Sequence, residues 1–158
     1  ELGINTLQRG LSVFSRDSPY GGAQITSAIM SEFDVPFEEA EKMKLGGVDL
    51  DDKKRAAIDK IREGATKQWI REVKHALDFV GNTYPDEALD KIFVSGGSCE
   101  TPDFQRQFEQ ETNISVTELN PFRYLTIDGK LFDSNYLKSV APQAGVAVGL
   151  ALRNIGDK

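Results

Sequence analysis

Apolar and polar positions alternate over Leu2–Gln8 and again over residues 11–16, the two-residue period of half-buried strands. Arg9-Gly10 between them supplies a tight turn, so the pair reads as a hairpin. Ser18-Pro19-Tyr20-Gly21-Gly22 breaks the pattern. The period then changes. Ile25, Ile29 and Phe33 lie four apart, which predicts a helix from Gly22 to Phe33. Asp34 is placed to cap a second helix that starts near Pro36 and ends at Leu45, before Gly46-Gly47. Its acidic first turn and the late Lys42 and Lys44 suit the helix dipole. From about Asp51 to Asn82, the residues Ile58, Ile61, Ala65, Trp69, Val73, Ala76, Leu77 and Val80 recur every three or four positions. This is one long helical stripe, weakened at Gly64. Its uneven side-chain sizes favour packing on a sheet over a coiled-coil seam.

The segment Ile92-Phe93-Val94-Ser95-Gly96-Gly97-Ser98 reads as a short apolar strand that stops abruptly at two glycines. Thr101 and Pro102 are expected as cap and first position of a helix running to about Glu111. Residues 114–119 read as another strand, ended by Asn120-Pro121-Phe122. Residues 124–138 are ambiguous, with a turn at Asp128-Gly129. Ala141–Leu152 is small and apolar and reads as one helix able to approach its neighbours closely, followed by a frayed tail over residues 153–158. The order of elements predicts an α/β domain, a mixed sheet flanked by helices. Residues 34–65 carry much charge and little strand signal, so they read as a small helical insertion in a core of residues 1–33 and 66–158.

At 158 residues, 39% hydrophobic and 28% charged, the chain fits one soluble globular domain. A net charge of −6 argues against a nucleic-acid or anionic-membrane surface, since both require a basic footprint. No apolar run is long enough to span a bilayer. The chain begins inside an apparent strand, Glu1-Leu2-Gly3-Ile4, which suggests a piece of a longer protein. Cys99 is the single cysteine and His75 the single histidine. Cys99 reads as a reduced thiol and His75 as an ordinary helix residue. No His or Cys pair has metal-ligand spacing.

The strand, the Gly-Gly turn and the predicted helix after it form an arrangement that brings bare backbone close to a phosphate or a sugar. Glycine removes the Cβ, and a helix start offers unpaired N–H groups. Taken alone, such a turn is as well explained by sterics. Two further stretches accompany it: Gly3-Ile4-Asn5-Thr6 on the leading hairpin, and Gly21-Gly22-Ala23-Gln24-Ile25-Thr26 leading into a helix. With Phe93-Val94-Ser95-Gly96-Gly97-Ser98, they resemble in order the second phosphate loop, the helix lead-in and the adenosine motif of the actin-like ATPase superfamily. Within it, the chain is most similar to the PilM family of type IV pilus assembly proteins. The similarity rests on Phe37-Glu38-Glu39-Ala40-Glu41-Lys42-Met43-Lys44, Ala76-Leu77-Asp78-Phe79, Asn120-Pro121-Phe122 and Ala147–Arg153.

That resemblance implies an actin-like (ribonuclease H-like) domain forming one wall of a cleft that holds ATP with Mg²⁺. It implies that Gly3 and Asn5 approach the β- and γ-phosphates. Glu41 and Lys44 would reach the ribose and adenine, and Gly96, Gly97 and Ser98 would pass under the nucleoside and α-phosphate. Without the resemblance, Glu41 and Lys44 read as an ordinary exposed pair one turn apart, and Gly3 as a strand bulge. Glu1 stands where the superfamily usually carries Asp, so it is given no catalytic role. The resemblance further implies a cytoplasmic scaffold held at the inner membrane by the tail of PilN and other pilus assembly proteins, with slow turnover at most. The 158 residues alone are expected to bind ATP weakly and to hydrolyse none. Alternatives are an FtsA-like cell-division protein, a GspL-like secretion scaffold without nucleotide, an actin-fold small-molecule kinase, and a nucleotide-independent interaction module.

Overall fold

The hairpin forms as its alternation predicts. Strand β1 (Leu2–Gln8) pairs antiparallel with β2 (Leu11–Ser18), and Arg9 and Gly10 both take positive φ, 51° and 81°, in the turn. Two positive-φ residues in a two-residue loop give a twist that matches the strands. The register shifts between Thr6 and Leu7, a bulge that re-aims the tip. The computed structural model describes residues 1–154 and Gly156. The tail expected over residues 153–158 therefore lies partly outside the described residues.

Two compact units make up the chain, Glu1–Ala88 and Leu89–Lys158. In the first, the hairpin packs on α3 (Asp52–Thr83), which also packs on α1 (Gly22–Phe33); α2 (Phe37–Lys44) packs on α1. Of the predicted stripes, Ile25 and Ile29 on α1 and Ile58, Trp69, Ala76 and Val80 on α3 are buried; Ala40 and Met43 on α2 and Ile70 on α3, which belong to no predicted stripe, are buried as well. Arg16 on β2 pairs with Glu72 on α3 at 3.5 Å, and the rings of Phe14 and Phe79 meet at 5.3 Å. Helix α3 runs through Gly64 without interruption, so a glycine in a fully formed ladder did not weaken it enough to break it. Its start is capped by Asp51, whose side chain accepts from the Lys54 N–H at 2.8 Å.

Asp34 does something different from the cap expected of it. It closes α1 in the left-handed region, φ 51° and ψ 48°, and Pro36 stands as the N-cap of α2. The cause is local. A residue before proline is pushed to extended backbone, so Val35 cannot continue a helix and Asp34 must reverse the chain beforehand.

In the second unit β3 (Ile92–Val94) pairs parallel with β4 (Val116–Glu118), which is shorter than the expected 114–119. The strands thus form an antiparallel pair in one unit and a parallel pair in the other, the small sheets of a mixed α/β fold. The Thr101–Pro102 helix start is also corrected. A 3-10 turn, Gly97–Glu100, begins at the second glycine, and α4 (Phe104–Thr112) begins only after Asp103, which is itself left-handed at φ 60°. The ambiguous stretch holds α5 (Ser134–Val140), whose N-cap Asp133 accepts from the N–H groups of Asn135 and Tyr136.

The single C-terminal helix expected over residues 141–152 is broken. A 3-10 turn, Ala141–Gln143, precedes α6 (Gly145–Ala151). The Pro142 carbonyl accepts from the Ser95 hydroxyl at 2.8 Å and from the Gly96 N–H. Two outside donors have taken the acceptor that a continuous helix would use for its own ladder.

Candidate functional site

Helix α2 offers two faces. Ala40 and Met43 are buried, while Glu41 and Lys44, one turn apart, share the neighbouring side. The two form an ion pair, Lys44 Nζ to Glu41 Oε1 at 2.6 Å. It is not the ordinary exposed pair that spacing alone suggests: the side chains are only 32% and 16% exposed for Glu41 and Lys44. Thr26 on α1, wholly buried, donates its hydroxyl to Glu41 Oε2 at 2.6 Å. Lys44 Nζ donates to Thr26 Oγ1 at 3.1 Å and reaches the Gly22 carbonyl at 3.5 Å. Arg62 on α3 donates to the Lys44 carbonyl. Glu41 is held below the usual carboxylate range by the Lys44 and Thr26 hydrogen bonds, which outweigh the opposing effect of its burial.

Gly3 and Asn5 sit two apart on the exposed face of β1. Asn5 Oδ1 accepts from the Ser12 hydroxyl at 2.6 Å, which orients the amide so that its NH₂ end stays available as a donor. Gly3 stands opposite Asp17; a Cβ on Gly3 would lie 3.4 Å from Asp17 Oδ1. Neither residue shares a hydrogen bond with the Glu41–Lys44 pair among the described residues.

Gly96, Gly97 and Ser98 lie in the second unit, at the end of β3. Gly96 has φ 101°, a conformation that L side chains rarely adopt. Gly97 is exposed, and a Cβ there would meet the flexible end of Gln143 at 3.4 Å. Cys99, next in the turn, is buried. Burial, with Glu118 and Glu100 nearby, pushes its thiol up to about 11, so it is a protonated thiol at neutral pH rather than a nucleophile. No group of three or more His, Cys, Asp or Glu capable of holding a metal occurs among the described residues.

Thr26 and Ser95 are the residues that sequence reasoning missed. Both stood inside recognised motifs, but their partners are 15 and 47 positions away. No local signal could reveal either contact.

A family model described as type IV pilus assembly protein PilM matches residues 1–155. The chain belongs to the PilM family. The fold of this PilM-family chain is actin-like, as solved structures attest. It is similar to a chain of a PilM–PilN type IV pilus biogenesis complex, with a TM-score of 0.73 and 20% identity over 92% of this chain. It is similar also to the ethanolamine utilization protein EutJ from Carboxydothermus hydrogenoformans, with a TM-score of 0.63 and 21% identity over 96% of this chain. The chain spans 40% and 44% of the lengths of those two structures. Among the described residues, no helix is long and apolar enough to cross a membrane.

Proposed function

We propose that this chain is the part of a PilM-family scaffold that supplies one wall of a nucleotide cleft, with ATP and Mg²⁺ as the ligand. The observation that carries the reading is the Glu41–Lys44 pair. A carboxylate suits the two hydroxyls of a ribose, an ammonium suits an adenine nitrogen, and here the two are held side by side on a buried anchor. Asn5 offers an amide donor on the exposed face of β1, where phosphate oxygens would be met. Gly97 offers backbone without a side chain, and Gly96 and Ser98 flank it. Residues 34–65, which include α2, would be the small lid of the domain.

The donor set fits the magnesium complex of ATP better than bare ATP. Asp17 lies beside Gly3, and a carboxylate tolerates phosphates nearby only when their charge is offset. Mg²⁺ usually keeps several waters and arrives on the phosphates, so it does not require a dedicated protein cage. Bound nucleotide would act as a conformational ligand, favouring the state that makes more contacts with it. PilN is the proposed partner, because the chain resembles a member of a PilM–PilN complex. The place of action would then be the cytoplasmic side of the inner membrane, reached through PilN.

Calorimetry of Mg-ATP with the full-length protein tests this. Lys44→Ala should weaken binding about tenfold or more, the usual size of a charge-assisted hydrogen bond. Gly97→Val should weaken it by blocking approach, without backbone strain, since Gly97 is not among the positive-φ residues. Absence of binding in the unaltered protein would overturn the cleft reading and leave a nucleotide-free scaffold.

A further inference from the structure

Thr26 stands where α1 runs beside α2, and its hydroxyl touches both members of the proposed nucleoside-binding pair. A hydroxyl has one proton to donate and two lone pairs to accept with. The proton goes to Glu41 Oε2 at 2.6 Å, and a lone pair receives Lys44 Nζ at 3.1 Å. The side chain cannot easily turn away. It is β-branched, wholly buried, and within 3.2 Å of the carbonyl of Gly22, four residues earlier on the same helix. With Lys44 on Oε1 and Thr26 on Oε2, both carboxylate oxygens of Glu41 have a fixed direction.

We propose that Thr26 is a positioning residue of the nucleotide site, fixing the rotamers of Glu41 and Lys44 so that ribose and adenine meet a pre-formed pair. The inference rests on the nucleotide reading above. Glu and Lys are among the side chains that lose most rotamer freedom when ordered. Ordering them before the ligand arrives lowers what binding must offset. The burial of Thr26 means that it does this without touching the nucleotide.

The test uses the full-length protein with two variants. Thr26→Val keeps the shape and removes the hydroxyl; Thr26→Ser keeps the hydroxyl and removes the methyl. Thr26→Val should weaken Mg-ATP about tenfold, the equivalent of one hydrogen bond to a charged group, while Thr26→Ser binds nearly as the unaltered protein does. Magnesium tripolyphosphate, which lacks the nucleoside, should bind both alike. The Glu41 carboxyl, followed by carbon NMR, should titrate higher in Thr26→Val than in Thr26→Ser. Equal Mg-ATP affinity in the two variants, or a loss of tripolyphosphate binding in Thr26→Val as large as its loss of Mg-ATP binding, would overturn the proposal. If the unaltered protein binds no Mg-ATP, the nucleotide reading falls and the NMR titration reads the pair alone. A higher Glu41 value in Thr26→Val then shows that Thr26 orders the pair without a nucleotide to serve, which overturns the proposal as a nucleotide-site role, and an unchanged one ends the ordering role too.

Discussion

The carboxylate of Glu41 is stabilised as an anion by two donors from two different elements, Lys44 on its own helix and Thr26 on the helix beneath. Its folded-state value lies below the ordinary 4.5. Between the folded and unfolded values the unfolded chain holds more protons, so acid favours unfolding. The contribution is therefore complete above about pH 4.5 and is lost as pH falls through the folded value. Glu41→Gln isolates it. The stability gap between the two proteins, from urea unfolding across pH, should be widest at neutral pH and close on acidification. A gap that does not change from neutral to acid pH would mean that the ionised carboxylate contributes nothing to folding. What could be read from sequence at this scale was the spacing of Glu41 and Lys44, three residues on one helix. Thr26 could not be read, because it meets them through packing between helices.

Helix boundaries follow competition for a few backbone groups. Asp51 succeeds as a cap because no proline follows it closely and the Lys54 N–H falls within reach of its side chain. Asp34 has the same chemistry and fails, because Pro36 dictates the backbone before it. Asp51→Ala should cost about 1 kcal/mol, the usual worth of such a cap. Hydrogen exchange should quicken in the first turn of α3 and stay unchanged beyond Trp69; loss of protection along the whole helix would contradict this. The break between Gln143 and Gly145 belongs to the same class of event. Periodicity predicted one helix there, and it carries no information about Ser95 and Gly96 claiming the Pro142 carbonyl from far along the chain. Strands β1 and β2 were legible almost to the residue, since both their alternation and their turn are local. The short parallel pair β3 and β4 was legible in place but not in extent, because parallel pairing depends on a partner that sequence does not point to.

The chain as a whole carries a net charge of −6, and ATP is itself a polyanion. In the proposed cleft, the net charge of this chain and the local carboxylate of Asp17 would both oppose bare nucleotide. Chelating Mg²⁺ with EDTA should therefore weaken ATP binding to the full-length protein by about tenfold or more at low salt, with a smaller effect as added salt screens the surface. Asp17→Asn should narrow the difference. Equal affinity with and without Mg²⁺ would show that neither charge faces the phosphates. At this scale the order of motifs identified the family, although the motifs taken singly were explained as well by sterics.

One contact in the first unit ties these scales together. A Cβ on Gly21 would lie 2.8 Å from the backbone nitrogen of Glu1, closer than real atoms come. The residue before β1 and the residue before α1 thus approach so closely that a side chain at position 21 would meet the main chain of Glu1. Position 21 acts as an alignment pin made from an absent methyl group. Any other residue there would part the strand from the helix and tilt the first turn of α1. The disturbance would reach the ion pair through Gly22 and Thr26, whose oxygens accept from Lys44.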